Sequence, residues 1–137
     1  MIIPVINDDI REVPASVLAY VGDSVYELFF RLYVASRHHG KSGQINKIVI
    51  DFVKAQAQAA AARAILSDLS DEETVIFRRG KNSNPSSMPK NVKPADYKYA
   101  TGLEAIVGFL FLSDRKERLD ELLNQVAHII EKEDYEE

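Results

Sequence analysis

At 137 residues, with 46% hydrophobic and 28% charged content, the chain is long enough for one domain with a substantial core. It contains no cysteine, which excludes disulfides and thiolate metal sites, and no apolar run reaches the roughly 18 residues of a membrane span. The formal net charge of −4 argues against a polyanion partner only as an average, because the charges are segregated: residues 78–98 carry Arg78, Arg79, Lys81, Lys90, Lys93 and Lys98 against Asp96, whereas residues 113–137 carry nine acids against four bases.

The start, Met1-Ile2-Ile3-Pro4, lacks the basic region of a signal peptide, so a cytoplasmic location is expected. Residues 1–12 read as a polar lead-in. Pro14 suits the first turn of a helix that runs to about Arg37, because its missing N–H is harmless there. His38 to Gly43 form a turn with two surface histidines, and Ser42 is expected to cap the next helix. That second helix is predicted to run unbroken from about Gln44 to Leu66 through an alanine-rich middle, alanine being the best helix former. Ser70-Asp71-Glu72-Glu73 is a capping box and opens a short helix to about Arg79.

Gly80 to Lys93, rich in Asn, Ser and Pro, is predicted to be a flexible loop within one domain, since too little chain follows for a second core. Pro94 starts a helix through Leu112, and Ser113-Asp114 break it. The last helix carries Leu119, Leu122, Leu123, Val126, Ile129 and Ile130 on one face, with fraying expected from Glu133 on. No stretch alternates convincingly as a strand, so the fold class is all-α, one domain over residues 1–137 with its core at about 14–130.

The chemistry centres on Asp23, in Leu18-Ala19-Tyr20-Val21-Gly22-Asp23-Ser24-Val25-Tyr26-Glu27-Leu28. A buried carboxylate without partners is costly, and a mid-helix glycine costs roughly 1 kcal/mol relative to alanine. Ala100-Thr101-Gly102-Leu103-Glu104-Ala105-Ile106-Val107-Gly108 repeats the design, one carboxylate among small and apolar residues. Small residues allow two helix backbones to approach closely. Two carboxylates so juxtaposed repel each other unless a cation, typically a hard divalent ion, lies between them. The spacing alone leaves a second reading open: Asp23, Glu27 and Arg31 form an i, i+4, i+8 stripe that solvent and a Glu27–Arg31 pair would satisfy.

The Asp23 segment resembles the signature helix of the ribonuclease III family, which carries a Leu-Glu-Phe-Leu-Gly-Asp core. Ala100 to Gly108 resembles that family's second acidic motif, Ala-Asp-x-x-Glu-Ala-Leu-x-Gly. Over about residues 14–130 the chain is similar to the Mini-ribonuclease III branch, which has the catalytic domain and no separate double-stranded-RNA-binding domain. Arg78-Arg79-Gly80-Lys81-Asn82, Pro89-Lys90-Asn91 and Tyr97-x-Tyr99-Ala100-Thr101 belong to the same pattern. Larger members have acids where this chain has Ala19 and Thr101, so a metal cluster held entirely by protein ligands is in doubt.

The resemblance implies the ribonuclease III endonuclease fold as a helical homodimer. It implies metal-assisted hydrolysis of double-stranded RNA, with Asp23 and Glu104 as catalytic metal ligands for Mg2+, or Mn2+ in its place. Products would carry 5′-phosphate and 3′-hydroxyl ends, and the implied substrate is a stem of the large ribosomal RNA precursor, with a presenting ribosomal protein left open. Val17, Leu18, Tyr20, Val21, Val25 and Leu28 are expected partly at the twofold interface, with Tyr20 and Val21 its leading residues. Arg78, Arg79, Lys81, Asn82, Lys90, Lys93 and Lys98 are expected to contact RNA phosphates. The 80–93 loop either settles into a groove or is merely solvated, and Gln56 and Gln58 could also reach RNA. A non-catalytic RNA-binding module on the same fold, and a helical dimerisation protein, are the competing readings.

Overall fold

The computed structural model describes residues 1–83 and 88–136, with side chains through Glu133. Among the described residues six α-helices and no strands occur: α1 (Ala15–Ala35), α2 (Ser42–Val53), α3 (Ala55–Ile65), α4 (Asp71–Lys81), α5 (Pro94–Leu112) and α6 (Lys116–Glu136). Short 3-10 turns at Ile10–Glu12 and Leu66–Asp68 complete the order. Pro14 is the N-cap of α1, one residue before the helix rather than inside its first turn. The lead-in is less polar on its surface than expected, since Ile2 and Val5 are exposed. Residues 84–87, the middle of the expected loop, lie outside the described residues. The α6 backbone stays helical to Glu136, beyond the point where fraying was expected.

The central element is α5, which packs against α1, α3, α4 and α6. Its sequence explains this position. Ala100, Gly102, Leu103, Ala105, Ile106, Val107, Gly108, Phe109 and Leu110 are all buried, and a helix that is apolar all round belongs in a core. Helix α1 is amphipathic instead: Leu18, Gly22, Tyr26, Phe30 and Val34 recur every four residues and are buried. The buried α6 residues Leu119, Leu122, Leu123, Val126 and Ile130 close the core from the C-terminal side, as the sequence predicts.

The long second helix of the sequence reading is two helices. Lys54, with ψ 148°, breaks it and serves as C-cap of α2 and N-cap of α3. A break inside good helix formers strands backbone carbonyls, and here side chains take them up. The Tyr26 hydroxyl donates to the Phe52 carbonyl at 2.7 Å, and Gln58 Nε2 donates to the Val53 carbonyl at 2.8 Å. Ser42 is the first residue of α2 rather than its cap; Lys41 is the cap, and its N–H donates to Gln44 Oε1.

At the other end the α5–α6 turn puts Asp114 at φ 58°. The Arg115 N–H returns to the Leu110 carbonyl, so the turn closes with a left-handed residue of a type that tolerates that conformation.

The capping box at Ser70 is present and does more than end a helix. Glu73 accepts from the Ser70 N–H, and Ser70 Oγ accepts from the Glu73 N–H. The Glu73 side chain, with the residue only 3% exposed, also takes a bidentate pair of hydrogen bonds from Arg118 at 2.8 and 2.9 Å. Burial pushes its carboxyl up, but Arg118 and the Ser70 N–H outweigh that and hold it below its ordinary 4.5. The pair thus ties α4 to α6. Arg118→Ala leaves a buried charge without its counterion and is expected to cost roughly 3 kcal/mol, read as a fall in the urea midpoint at pH 7. Because the folded-state pKa is depressed, this stabilisation is present above about pH 4.5 and is lost as pH falls through it; the variant and the wild type should therefore converge in stability in acid.

Candidate active site

The two acidic motifs meet where α1 crosses α5. A Cβ added to Gly22 would lie 1.8 Å from the Glu104 carbonyl oxygen, and one added to Gly108 would lie 1.9 Å from the Leu18 carbonyl oxygen. The two backbones are therefore in direct contact, which only glycine permits at these positions. The glycine beside Asp23 is there for helix packing, and that packing brings Asp23 and Glu104 together.

The burial is distributed differently from the sequence expectation. Asp23 is exposed, at the rim, whereas Glu104 is half-buried beneath it. Asp23 lies on the stripe adjoining the buried one, and Glu27 on that stripe pairs with Arg31 at 2.9 Å as the alternative reading held. Burial, then a hydrogen bond and charge repulsion from the Asp23 carboxyl, push the Glu104 carboxyl up to about 9; Gln58 acts on it as a hydrogen-bond partner in the opposite sense. Without a cation, the pair holds one proton at neutral pH. Tyr26, fully buried on the same face of α1, has its hydroxyl committed to the Phe52 carbonyl.

Gln58 departs from expectation. It is 4% exposed, so it does not reach RNA; its Oε1 is buried and has no hydrogen-bond partner among the described residues. Gln56 is exposed. The positions acidic in larger ribonuclease III enzymes add no ligand: Ala19 is buried, and the Thr101 hydroxyl donates to the Tyr97 carbonyl. Among the described residues no group of three or more His, Asp or Glu side chains is poised for a metal. The candidate donors are therefore the two carboxylates, an all-oxygen pair that fits a hard divalent cation keeping most of its own water.

The basic segment divides by role. Arg78, Asn82, Lys90, Lys93 and Lys98 are exposed. Arg79 is committed elsewhere: its guanidinium donates to the Val13 carbonyl at 2.9 Å and the Arg11 carbonyl at 3.3 Å, pinning the lead-in. The Lys81 ammonium lies 4.9 Å from the Tyr99 ring centre, and Arg63 of α3 lies 4.6 Å from the same ring. Arg63 also pairs with Asp96 at 3.0 Å, so the single acid of the segment is matched by a base that the sequence reading left out. His38 and His39 are exposed, as expected.

A ribonuclease III domain model matches residues 16–115, a span that contains both acidic motifs. The chain belongs to the ribonuclease III family. The Mini-ribonuclease 3 of Clostridium tetani is 38% identical over 126 residues, which cover 91% of this chain and 83% of that protein. The Mini-ribonuclease 3 of Kosmotoga olearia is 40% identical, covering 86% of this chain and 80% of that protein. A crystal structure of a Fusobacterium nucleatum protein superposes with a TM-score of 0.80 at 33% identity, covering 89% of this chain and 98% of that one. The chain is thus an endoribonuclease of the Mini-ribonuclease III branch, and double-stranded RNA is the substrate class that the ribonuclease III domain implies.

Proposed function

We propose that this ribonuclease III domain is a divalent-metal-dependent hydrolase that cuts both strands of an RNA stem as a homodimer, with Asp23 and Glu104 as its metal ligands. The observation that carries this reading is the backbone contact of α1 with α5 at Gly22 and Gly108, which sets Asp23 beside Glu104, where burial and the Asp23 carboxyl push the Glu104 carboxyl up to about 9. A bound Mg2+ or Mn2+ would supply Lewis acidity at the phosphate and a more acidic water. The chain's own residues supply the rest. Glu104 is fixed by the rigid central helix, and Asp23 stands at the solvent-facing rim, where a bound cation would be open to the RNA. Products with 5′-phosphate and 3′-hydroxyl ends follow from attack of water on phosphorus with loss of the 3′ oxygen. The likeness to Mini-ribonuclease 3 proteins supports a stem of the large ribosomal RNA precursor as substrate, in the cytoplasm, presented with or without a ribosomal protein.

Support for the dimer comes from α1. Tyr20 is 80%, Leu28 60% and Leu32 62% exposed, and Val17 adds to the same apolar stripe. Isolated exposed apolar residues are ordinary, but a contiguous stripe on one helix suits a second copy. Val21 is half-buried and flanks it. Leu18 is excluded from that role because it is fully buried in its own core, and Val25 packs against the same core. One catalytic centre cuts one strand, so a twofold pair accounts for cutting a duplex.

The test is incubation of the protein with a structured precursor RNA, with Mg2+ or with EDTA. Cleavage is expected only with the metal; equal cleavage in EDTA would refute the reading. The surface assignment has its own test on a binding-competent, non-cutting background. Arg78→Ala and Lys90→Ala are each expected to weaken duplex binding and to lower the slope of log K against log salt by about 1. Arg79→Ala should act differently, lowering thermal stability because its guanidinium holds the Arg11 and Val13 carbonyls.

A further inference from the structure

Gln58 is a buried polar side chain outside the proposed reaction, and unlike the buried Glu73 it keeps an unpartnered atom among the described residues. It stands on α3 among alanines, with Ala57, Ala59, Ala61 and Ala62 buried around it. Its Nε2 donates to the Val53 carbonyl at 2.8 Å, which fixes the plane of the amide. Its Oε1 is buried without a partner among the described residues, and buried unpaired acceptors are rare enough in folded proteins to need a reason. An apolar side chain would avoid that cost. Helix α3 packs on α5, and within that contact the same amide favours the charged form of the Glu104 carboxyl, opposite in sense to Asp23. The Lys54 break between α2 and α3 makes this arrangement, because it leaves the Val53 carbonyl available to anchor the amide.

We propose that Gln58 is a positioning residue of the metal site: anchored on the Val53 carbonyl, its amide holds the Glu104 carboxylate in the orientation that receives a divalent cation beside Asp23. This rests on the reading of Asp23 and Glu104 as the cation ligands. Groups that orient a ligand from behind are worth about 10- to 100-fold in metal affinity or activity when removed. Gln58 also links the cation site to the α2–α3 break, so that the break serves the site as well as the fold.

The experiment is Mn2+ binding to the RNA-free protein, followed by the loss of the free-ion magnetic resonance signal, for the wild type, Gln58→Met and Asp23→Asn. Gln58→Met keeps the length and apolar bulk of the side chain and removes the amide, with its hydrogen bond to the Val53 carbonyl. It is expected to weaken Mn2+ binding about tenfold or more, to leave the KM for duplex RNA unchanged and to lower kcat in a way that added metal restores. A role confined to holding the Val53 carbonyl predicts a lower melting temperature with unchanged Mn2+ binding, and that result overturns the proposal. Should Gln58→Met not fold, the wild type decides. The side-chain amide resonances of Gln58 are expected to shift on Mg2+ titration with the midpoint of cation binding, and resonances that stay in place overturn the proposal. If Asp23→Asn loses Mn2+ while Gln58→Met does not, the role of Gln58 falls and the two-carboxylate site stands. If Asp23→Asn keeps wild-type Mn2+ affinity, the underlying site assignment falls, and the proposal with it.

Discussion

Asp23→Asn and Glu104→Gln are each expected to reduce duplex cleavage on the order of a thousandfold or more, the scale of losing a group that stabilises charge in a transition state, while duplex binding persists. The two variants should also make the metal-free protein more stable, not less. Burial and the Asp23 carboxyl raise Glu104 to about 9 in the folded chain, against an ordinary 4.5. The folded state thus holds this proton more tightly than the unfolded state does, so the site contributes no penalty below about pH 4.5 and an increasing one as pH rises towards 9. Metal-free wild type should lose stability across that interval. Glu104→Gln removes the titrating group and Asp23→Asn removes the repulsion, so both flatten the slope and melt above the wild type at pH 8. Added Mg2+ reverses the order by stabilising only the wild type. Melting curves at pH 5 and pH 8, with and without Mg2+, check the second half, and single-turnover cleavage checks the first. A variant that cuts at the wild-type rate, or that loses stability at pH 8 without metal, would remove the carboxylate pair from the mechanism.

The site was legible in the sequence to the extent that its parts are local. Asp23 and Glu104 stand in short segments of small and apolar residues whose pattern can be read without a fold. Their relation to solvent was not legible. The mostly apolar stretch from Val17 to Val34, interrupted by Asp23, Glu27 and Arg31, suggests burial for Asp23, but the buried stripe is Leu18, Gly22, Tyr26, Phe30 and Val34, and Asp23 lies one position off it. Burial falls on Glu104 instead, because α5 packs against α1, α3, α4 and α6, whereas α1 leaves the face of Tyr20, Leu28 and Leu32 exposed. The break at Lys54 had no signal, since no glycine or proline marks it. Its stability comes from Tyr26, which satisfies the Phe52 carbonyl from α1, and from Gln58, which satisfies the Val53 carbonyl from the first turns of α3. Gln58 looked like one of two similar glutamines, and only packing separates it from the exposed Gln56. Arg79 resembled its basic neighbours for the same reason: its partners are carbonyls 66 and 68 residues away, and a backbone acceptor carries no side-chain signature.

Gly22→Ala provides the sharpest test of how the fold makes the site, because two effects of opposite sign compete. Alanine is the better helix former by about 1 kcal/mol, so a glycine kept for no packing reason would give a more stable protein on substitution. Gly43 is the internal control: it lies in the first turn of α2, and nothing stands within 4 Å of an added Cβ. Gly43→Ala is expected to be neutral or stabilising by up to about 1 kcal/mol. At Gly22 the added Cβ meets the Glu104 carbonyl oxygen at 1.8 Å and the Gly108 nitrogen at 2.8 Å. These are backbone atoms of the central helix, so no flexible side chain can yield. Inserting a carbon into a packed core ordinarily costs about 1–3 kcal/mol, and a backbone clash should reach or exceed the upper end of that range. Gly108→Ala meets the Leu18 carbonyl oxygen at 1.9 Å and should behave alike. Either variant that still folds must move α1 away from α5, and since that crossing carries Asp23 on one side and Glu104 on the other, cleavage should fall with the separation. Urea unfolding of the three variants, read beside their cleavage rates, resolves the competition. A Gly22→Ala protein as stable and as active as Gly43→Ala would mean that backbone contact between α1 and α5 does not set the distance between the carboxylates.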